Sequence, residues 1–288
     1  MLDARKGDFM SLTSGQLDEI APGVRRLVAR NPGFMTGPGT NTYLVGTQRC
    51  AVIDPGPHDL VHIERILEAA GGRVNSILAT HTHPDHSPAV AALAQSTGAE
   101  VLGRGAPVHG RQDATFAPTR VLNDGDVVRV GEMVLRAIHT PGHASNHVCY
   151  LLEGSGMLFS GDHVMQGSTV VIGPPDGNMQ LYLQSLARLQ REPVTRIAPG
   201  HGTVIEDAQS EVTRLIAHRL QREAKVVERL RRAGRATIDV LVTSVYDDVD
   251  SRLHPVAKGS LLAHLLKLEA DGRAARDDAA DATWWMKE

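Results

Sequence analysis

The chain lacks several features that would assign it to a specialised class of protein. Its 288 residues include two cysteines, four Phe, four Tyr and two Trp, and its net charge is −3. Two cysteines cannot form a disulfide scaffold, and the strand-like sequence around Cys50 and Cys149 predicts buried thiols in a reducing cytosol. No apolar run reaches the roughly 18 residues of a membrane span, and residues 1–10 lack the apolar core of a secretory signal. We therefore expect a cytoplasmic globular protein without a membrane segment, and its charge argues against one that coats nucleic acid.

The sequence also lacks the signatures of hydrolases that use a protein nucleophile. It contains no G-x-S-x-G, neither cysteine is followed by a plausible base, and the glycine-rich segment 32–42 lacks the spacing of a phosphate loop. That segment is better interpreted as a hairpin or entrance loop. Histidine, by contrast, is abundant, with 14 residues against those few aromatics. This surplus requires an explanation.

Apolar patterning predicts mixed β-sheets covered by helices. Strands are expected at 24–29, 42–45, 51–53 and 74–79, followed by many short strands after residue 101. Helices are expected at 59–70, at 181–189 and directly after Ser87, with Ser87 as N-cap, Pro88 as first residue and Gly98 past the end. The alternation of strands and helices without strict regularity indicates an α/β fold.

The character of the sequence changes after Asp207. A long helix is expected there, with eight basic and two acidic residues between Arg214 and Arg235. Helices at 237–246 and 255–270 and a terminal hairpin that includes residues 283–286 complete the outline of a winged helix. We predict a metal domain at 1–207 and a winged-helix-like domain at 208–288. The basic helix is interpreted as a solvated, salt-bridged face, with an RNA-facing surface as the alternative.

The segment from Thr80 to His86 carries the densest set of potential metal ligands. His81 and His83 are two residues apart where a strand ends, so both rings can point to the same side. Asp85 and His86 follow at once. Nitrogen and oxygen donors this close together suit a borderline metal such as zinc.

Three more donors follow strands in the same manner. His143, Asp162 and His201 each come directly after a glycine that ends an apolar strand. The carboxyl ends of strands are where open α/β sheets place ligands. Seven donors exceed the needs of one tetrahedral ion and suit two ions that share a bridging ligand.

These seven positions resemble the metallo-β-lactamase superfamily, with its H-x-H-x-D-H motif, two later histidines and a bridging aspartate. The resemblance implies an αββα sandwich with the metals at one edge, and two divalent ions, zinc in preference to iron or manganese. By that resemblance the first metal binds His81, His83 and His143, the second binds Asp85, His86 and His201, and Asp162 bridges them. Residues 39–46, 53–56 and 140–143 and the helical tail further resemble the β-lactamase-like protein 2 branch, whose animal members resemble single-strand-directed endoribonucleases. Ser87-Pro88 departs from the glycine pair of many relatives, so the local turn is expected to differ.

The expected mechanism is attack by a metal-bridging hydroxide on a carbonyl carbon or phosphorus, with Asp85 as the catalytic residue that orients the nucleophile and carries a proton. Asp162, where the best-known zinc β-lactamases offer cysteine, argues against antibiotics as substrate, and His83 argues against a redox di-iron site. Single-stranded RNA is the first predicted substrate. A glyoxalase-II-like hydrolase of small esters or thioesters is the alternative, and a non-catalytic winged-helix protein that binds nucleic acid or a partner is a third hypothesis. A homodimer is compatible with each.

The remaining histidines receive more ordinary interpretations. His139, His147 and His163 are candidates to support the ligands, and Asp54 is expected to orient one ligand histidine. The other six are expected to be surface or core residues: His58, His62, His109, His218, His254 and His264.

Overall fold

The computed structural model describes residues 12–279 and 281–288, so the leader prediction for residues 1–10 lies outside the described residues. The strands are β1 Leu17–Ala21, β2 Val24–Val28, β3 Asn41–Val45, β4 Cys50–Ile53, β5 Val74–Leu78, β6 Glu100–Gly103, β7 Arg120–Val121, β8 Val127–Val130, β9 Met133–His139, β10 Val148–Leu152, β11 Met157–Gly161, β12 Arg196–Pro199, β13 Ala274–Arg276 and β14 Trp284–Met286. The helices are α1 Leu60–Ala70, α2 Val90–Thr97, α3 Met179–Leu189, α4 Ala208–Ala233, α5 Ile238–Val245 and α6 His254–Ala270, with a 3-10 turn at Ser251–Leu253.

Two mixed sheets face each other at the centre of the fold. One has the strand order β1-β2-β3-β4-β5-β6-β7 and the other β12-β11-β10-β9-β8. Strands β1 to β4 are antiparallel and β4 to β7 are parallel, whereas in the second sheet only β11 and β12 are parallel. The predicted mixed sheets are therefore confirmed.

Three apolar layers show how the sheets and helices pack. Side chains of both sheets, among them Tyr43, Tyr150 and Phe159, fill the space between them. Helices α1 and α2 pack on the outer face of the first sheet, and α3 and the start of α4 on that of the second. Strands β3, β4, β10 and β11 are buried along their whole length because both faces of each sheet are covered. The predicted αββα sandwich is confirmed.

The ends of the first two helices test the capping predictions. Helix α1 begins after Asp59, whose side chain accepts from the Val61 amide, and ends at Gly71 in the left-handed conformation. The prediction for α2 is wrong at its start, because the helix begins after Ala89 and Ser87 does not cap it. The Ser87 hydroxyl instead donates to Asp113 Oδ2 at 2.6 Å, a partner distant in sequence.

The C-terminal part has the predicted winged-helix outline. Helices α5 and α6 are followed by the antiparallel pair β13–β14, and Trp284 is fully buried among their apolar side chains. Helix α4 belongs to two cores, because Val212 and Leu215 pack under the second sheet while Val226 and Leu230 pack with α5 and α6. The boundary between residues 207 and 208 remains a prediction. Among the described helices, none has the length and apolarity required to cross a membrane.

Candidate metal centre

The predicted donors meet at one edge of the sandwich, in two adjoining groups. The first donor group is His81, His83 and His143, and the second donor group is Asp85, His86, Asp162 and His201. Within each group the candidate ligand atoms lie within 4.8 Å of one another. In the first group, His83 Nδ1 is 3.0 Å from both His81 Nε2 and His143 Nε2.

The carboxylate of Asp162 faces both donor groups. Its Oδ1 is 3.3 Å from His201 Nε2 and 3.4 Å from His86 Nε2, both in the second group. Its Oδ2 is 3.7 Å from His143 Nε2 in the first group. Asp85 also belongs to the second group, and its Oδ2 lies 3.3 Å from His201 Nε2. One carboxylate therefore lies where a bridge between two ions would be needed.

Four strand ends deliver these donors, as the glycine pattern predicts. His81, His143, Asp162 and His201 follow β5, β9, β11 and β12 within four residues. At two of these positions a side chain would clash with neighbouring atoms, so glycine is required. Gly161 has φ +46°, and a Cβ there would lie 2.4 Å from Thr80 Oγ1, while a Cβ on Gly200 would lie 2.7 Å from Asp162 Oδ1. A side chain at position 200 would displace the Asp162 carboxylate, and one at position 161 would displace the Thr80 hydroxyl.

Backbone carbonyls fix the rings of two cluster histidines. His143 Nδ1 donates to the Val171 carbonyl at 2.7 Å, and His201 Nδ1 donates to the Gly39 carbonyl at 3.2 Å. Because a carbonyl oxygen only accepts hydrogen bonds, each Nδ1 carries the proton. In the neutral ring each Nε2 then carries a lone pair directed into the cluster, where it is available to a metal ion.

Asp54 fixes a third ring, as predicted. Its carboxylate accepts hydrogen bonds from the Thr80 amide and hydroxyl, both at 2.7 Å, and from His86 Nδ1 at 2.9 Å. Asp54 has φ +50°, a conformation uncommon outside glycine, so the backbone at the end of β4 is held in a costly conformation beside the site. This carboxylate links β4 to the histidine motif.

The two donor groups have opposite electrostatics. Burial, reinforced by the His143 ring, lowers the pKa of His83 to about 3, and burial with the neighbouring His86 lowers the pKa of His81 well below its usual range. In the second group burial opposes ionisation, yet the carboxylates of Asp85 and Asp162 outweigh it and raise the pKa of His86 well above its usual range. The same attraction, led by His86, lowers the pKa of Asp85 to about 2 despite its burial.

The donor set fits divalent metal ions. His86 Nε2, His201 Nε2 and Asp162 Oδ1 are buried and have no hydrogen-bond partner among the described residues. Leaving buried polar atoms unpaired is costly unless a ligand completes them. Imidazole nitrogens and carboxylate oxygens, with no thiolate, match the ligand chemistry of zinc and its neighbours.

The candidate supporting histidines divide into two kinds. His147 is buried, bonds Thr140 Oγ1 through Nδ1 at 2.9 Å, and its ring centroid is 5.0 Å from that of His81. His163 is also buried and packs against the His147 ring. His139 is only half-buried, and its Nε2 contacts the Ser145 carbonyl at 3.1 Å rather than a donor of either group.

One supporting residue was missed from the sequence. His62 is a core residue, one of the two ordinary interpretations predicted for it, and its Nε2 lies 2.9 Å from the Thr42 hydroxyl. That hydroxyl donates to the Asp54 carbonyl at 2.8 Å, so His62 braces the backbone that holds the Asp54 carboxylate. Its place beside Ile63 on the buried face of α1 is the signal that could have indicated this role.

A cleft of about 600 Å³ opens over both donor groups. Residues that line it and also belong to the donor groups are His83, Asp85, His143 and Asp162. Apolar groups around them come from Met35, Met165, Val170 and Val171. Arg111 is the only Arg or Lys in the lining, and it makes no ion pair or hydrogen bond within the described ranges. The cleft therefore combines an apolar wall with one free cation.

Several basic residues of α4 are engaged in ion pairs, among them Arg222 and Lys225. Arg222 pairs with Asp248 at 2.7 Å, and Lys225 pairs with Asp247 at 2.5 Å. The two lysines of α6 are also paired, Lys258 with Asp239 at 2.5 Å and Lys267 with Glu223 at 3.1 Å. The contacts of Arg222 and Lys225 confirm the salt-bridged interpretation of the basic helix for these two residues.

Comparison with known proteins agrees with this geometry. Residues 35–201 match the metallo-beta-lactamase superfamily, and residues 237–284 match the beta-lactamase associated winged helix domain. The chain is 32% identical to the atrochrysone carboxyl ACP thioesterase AgnL7 of Paecilomyces divaricatus, over 90% of this chain and 83% of that protein. It is 31% identical to the beta-lactamase-like protein 2 homolog of Drosophila melanogaster, over 93% and 94% of the two chains.

A solved structure shares the fold over nearly the whole chain. A beta-lactamase domain protein from Burkholderia ambifaria superposes with a TM-score of 0.80 at 23% identity, covering 96% of this chain and 95% of that one. The superfamily match spans more than half of the sequence and includes all seven donors. The chain therefore belongs to the metallo-beta-lactamase superfamily, whose members are generally metal-dependent hydrolases, and carries the winged helix domain associated with it.

Proposed function

We propose that this protein hydrolyses thioesters that carry an apolar acyl group, with two divalent ions, zinc in preference to iron or manganese. The observation that carries the proposal is the lining of the cleft, where apolar side chains surround the donors and Arg111 is the one Arg or Lys among the described lining residues. A site for a polyanion such as RNA typically has several cations along its groove and aromatic rings for base stacking.

The two donor groups supply the ligands in this proposal. His81, His83 and His143 would hold one ion, Asp85, His86 and His201 the other, with Asp162 between them. Ions held there would supply Lewis acidity at the substrate oxygen and lower the pKa of a water molecule toward neutrality.

Asp85 is the proposed catalytic side chain. Its carboxylate lines the cleft and its depressed pKa keeps it ionised at neutral pH. It therefore accepts a hydrogen bond from the attacking water and orients the water's oxygen toward the thioester carbon. A carbon–oxygen bond forms and the carbon–sulfur bond breaks, and the water's proton passes through Asp85 to the departing sulfur, giving an acid and a thiol.

The remaining lining residues bind the two ends of the substrate. Met165, Val170 and Val171 would contact the acyl group, each buried methylene contributing about 0.8 kcal/mol. Arg111 would contact an anionic phosphate in the thiol portion, as found in coenzyme A or a carrier-protein arm. The name of the Paecilomyces relative, a carboxyl ACP thioesterase, supports this substrate class.

Single-stranded RNA is the second candidate substrate. The winged helix match and the similarity to the Drosophila beta-lactamase-like protein 2 homolog favour it. The paired lysines of α6 weaken it, because a recognition helix reads nucleic acid with free polar groups. A non-catalytic role is disfavoured because a structural zinc site is closed, whereas this cleft exposes its donors.

The test combines metal analysis with a substrate panel. We expect about two ions per chain, and turnover of decanoyl-coenzyme A at least tenfold above S-lactoylglutathione in kcat/KM, because the longer chain fills the apolar wall. Single-stranded RNA, a chromogenic phosphodiester and a chromogenic β-lactam are assayed alongside. Asp85→Ala should abolish thioester turnover, while Asp124→Ala, which removes a surface carboxylate that pairs with Arg188 away from the cleft, serves as the control.

The outcomes separate the hypotheses. Turnover of RNA without thioester turnover would contradict the thioesterase proposal and support single-stranded RNA as the substrate. Fewer than one ion per chain, or full activity in Asp85→Ala, would contradict the two-ion hydrolase itself.

A further inference from the structure

We propose that Arg219 of the C-terminal helices is a positioning residue for the first donor group, acting on His143 through residues 170–173. We call residues 170–173 the wall segment, since Val170, Val171 and Gly173 line the cleft. The inference rests on the proposed metal-binding role of His143 and adds a role for α4 and α6 in shaping that site.

Three successive residues of the wall segment are held by hydrogen bonds. The Arg219 guanidinium on α4 donates to the Val170 carbonyl. The Val171 carbonyl accepts from His143 Nδ1 at 2.7 Å, and the Ile172 amide donates to Ser260 Oγ on α6 at 3.4 Å. The peptide that orients the histidine ring is thus flanked on both sides by contacts from the C-terminal helices.

The guanidinium of Arg219 is shielded from solvent and has no counter-ion among the described residues. The side chain is only 3% exposed, and it makes no ion pair within the described part of the chain. Its guanidinium lies 5.3 Å from the Tyr182 ring centroid, and Tyr182 in turn donates to the His163 carbonyl at 3.0 Å. Burial of a cation without a counter-ion is costly, and the hydrogen bond that the guanidinium donates to the wall segment offsets part of that cost.

The geometry connects that hydrogen bond to the metal centre. The Val171 carbonyl fixes the Nδ1–H tautomer of His143 and directs Nε2 toward His83 Nδ1, 3.0 Å away. If Val170 is released, the adjacent peptide can rotate, and the ring loses its fixed direction. Partners of this kind change metal affinity by roughly 10–100-fold when removed.

Helix α4 itself offers a matched control. Arg222 is also buried, at 8% exposure, donates to a backbone carbonyl, that of Val245, at 2.5 Å, and lies 4.4 Å from the Tyr246 ring centroid. Unlike Arg219 it has a counter-ion, Asp248, and its contacts with Val245, Tyr246 and Asp248 do not reach the wall segment. Arg219→Met and Arg222→Met therefore remove similar groups with different expected consequences.

The experiment measures Zn²⁺ affinity by chelator competition and the Co²⁺ absorption spectrum, with thermal unfolding alongside. Arg219→Met should weaken one of the two sites by about tenfold and alter the Co²⁺ spectrum. His81→Ala, which removes a first-group donor, identifies that site. Arg219→Lys should recover part of the affinity because an ammonium can still donate to the Val170 carbonyl. Arg222→Met should lower the unfolding temperature without changing either affinity.

The results distinguish this inference from the proposed function. A wild-type chain that binds no Zn²⁺ contradicts the metal-binding role itself. Two bound ions in the wild type with unchanged affinities in folded Arg219→Met, or equal losses in Arg222→Met, overturn the inference alone. Should Arg219→Met fail to fold, Arg219→Gln takes its place, because the shorter side chain cannot make the same hydrogen bond to the Val170 carbonyl, and unchanged first-site affinity in folded Arg219→Gln overturns the inference.

Discussion

The edge of the sandwich is rich in histidine and helix α4 is rich in arginine and lysine, and the two sets of side chains differ in how they are paired within the protein. At the edge, His86 Nε2 and His201 Nε2 are buried with no hydrogen-bond partner among the described residues. On α4, Arg222, Lys225 and Arg229 face the carboxylates of Asp247 and Asp248. Polar groups can receive a ligand only where the protein itself leaves them unsatisfied.

The difference follows from where each set lies. Donors after strand ends are held by backbone geometry and by contacts such as that of Asp54 with His86, so their free atoms cannot turn toward other partners. Long side chains on a helix surface can rotate until they meet a carboxylate. The unsatisfied atoms thus support the proposed site at the edge, and the ion pairs of Arg222, Lys225 and Arg229 support a structural role for these three side chains.

Asp162→Ala should produce the largest effect, because this carboxylate faces both donor groups. We expect less than one ion per chain and a fall in kcat/KM exceeding the roughly 100-fold upper end for residues that only support a ligand. Metal analysis and thioester kinetics provide the measurement. Asp124→Ala, which removes a surface partner of Arg188, is the control and should bind metal normally. Retention of two ions in Asp162→Ala would remove the bridging role.

The donors were predictable because their sequence signal and their structural cause coincide. A strand, a glycine and a donor recur around His143, Asp162 and His201, and the backbone geometry of these strand ends brings the three side chains to one edge of the sandwich. The apolar periodicity of the sequence likewise predicts the layered fold. Contacts with partners distant in sequence could not be predicted. Ser87 donates a hydrogen bond to Asp113 instead of capping the helix, and His62 contacts the Thr42 hydroxyl. The hydrogen bond between Arg219 and the Val170 carbonyl also lay beyond sequence patterns, since it joins residues 49 positions apart.

Arg111→Met should have an intermediate effect that sharpens the contrast between free and paired cations. Arg111 lines the cleft and has no partner in the described part of the chain, so it is free to contact a phosphate. An exposed pair of this kind contributes about 0.5–1 kcal/mol, which predicts a two- to fivefold rise in KM for decanoyl-coenzyme A with little change in kcat. The matched neutral substrate is the decanoyl thioester of N-acetylcysteamine, whose KM should not change. Equal rises for both thioesters would show that Arg111 acts through the shape of the cleft rather than its charge.

The smallest effect is expected from Lys225→Met combined with Arg229→Met on α4. Their partner Asp247 is half exposed, so each ion pair should contribute less than about 1 kcal/mol to stability. Thioester kcat/KM should stay within about twofold of the wild type, because neither side chain lines the cleft. Binding of single-stranded RNA, measured across a salt series, should keep its slope, since paired cations release no additional counterions from a phosphate backbone. A shallower slope with weaker RNA binding would instead identify α4 as an RNA-facing surface. The interpretation of the α4 ion pairs as structural would then be wrong, whereas that of the metal centre would stand.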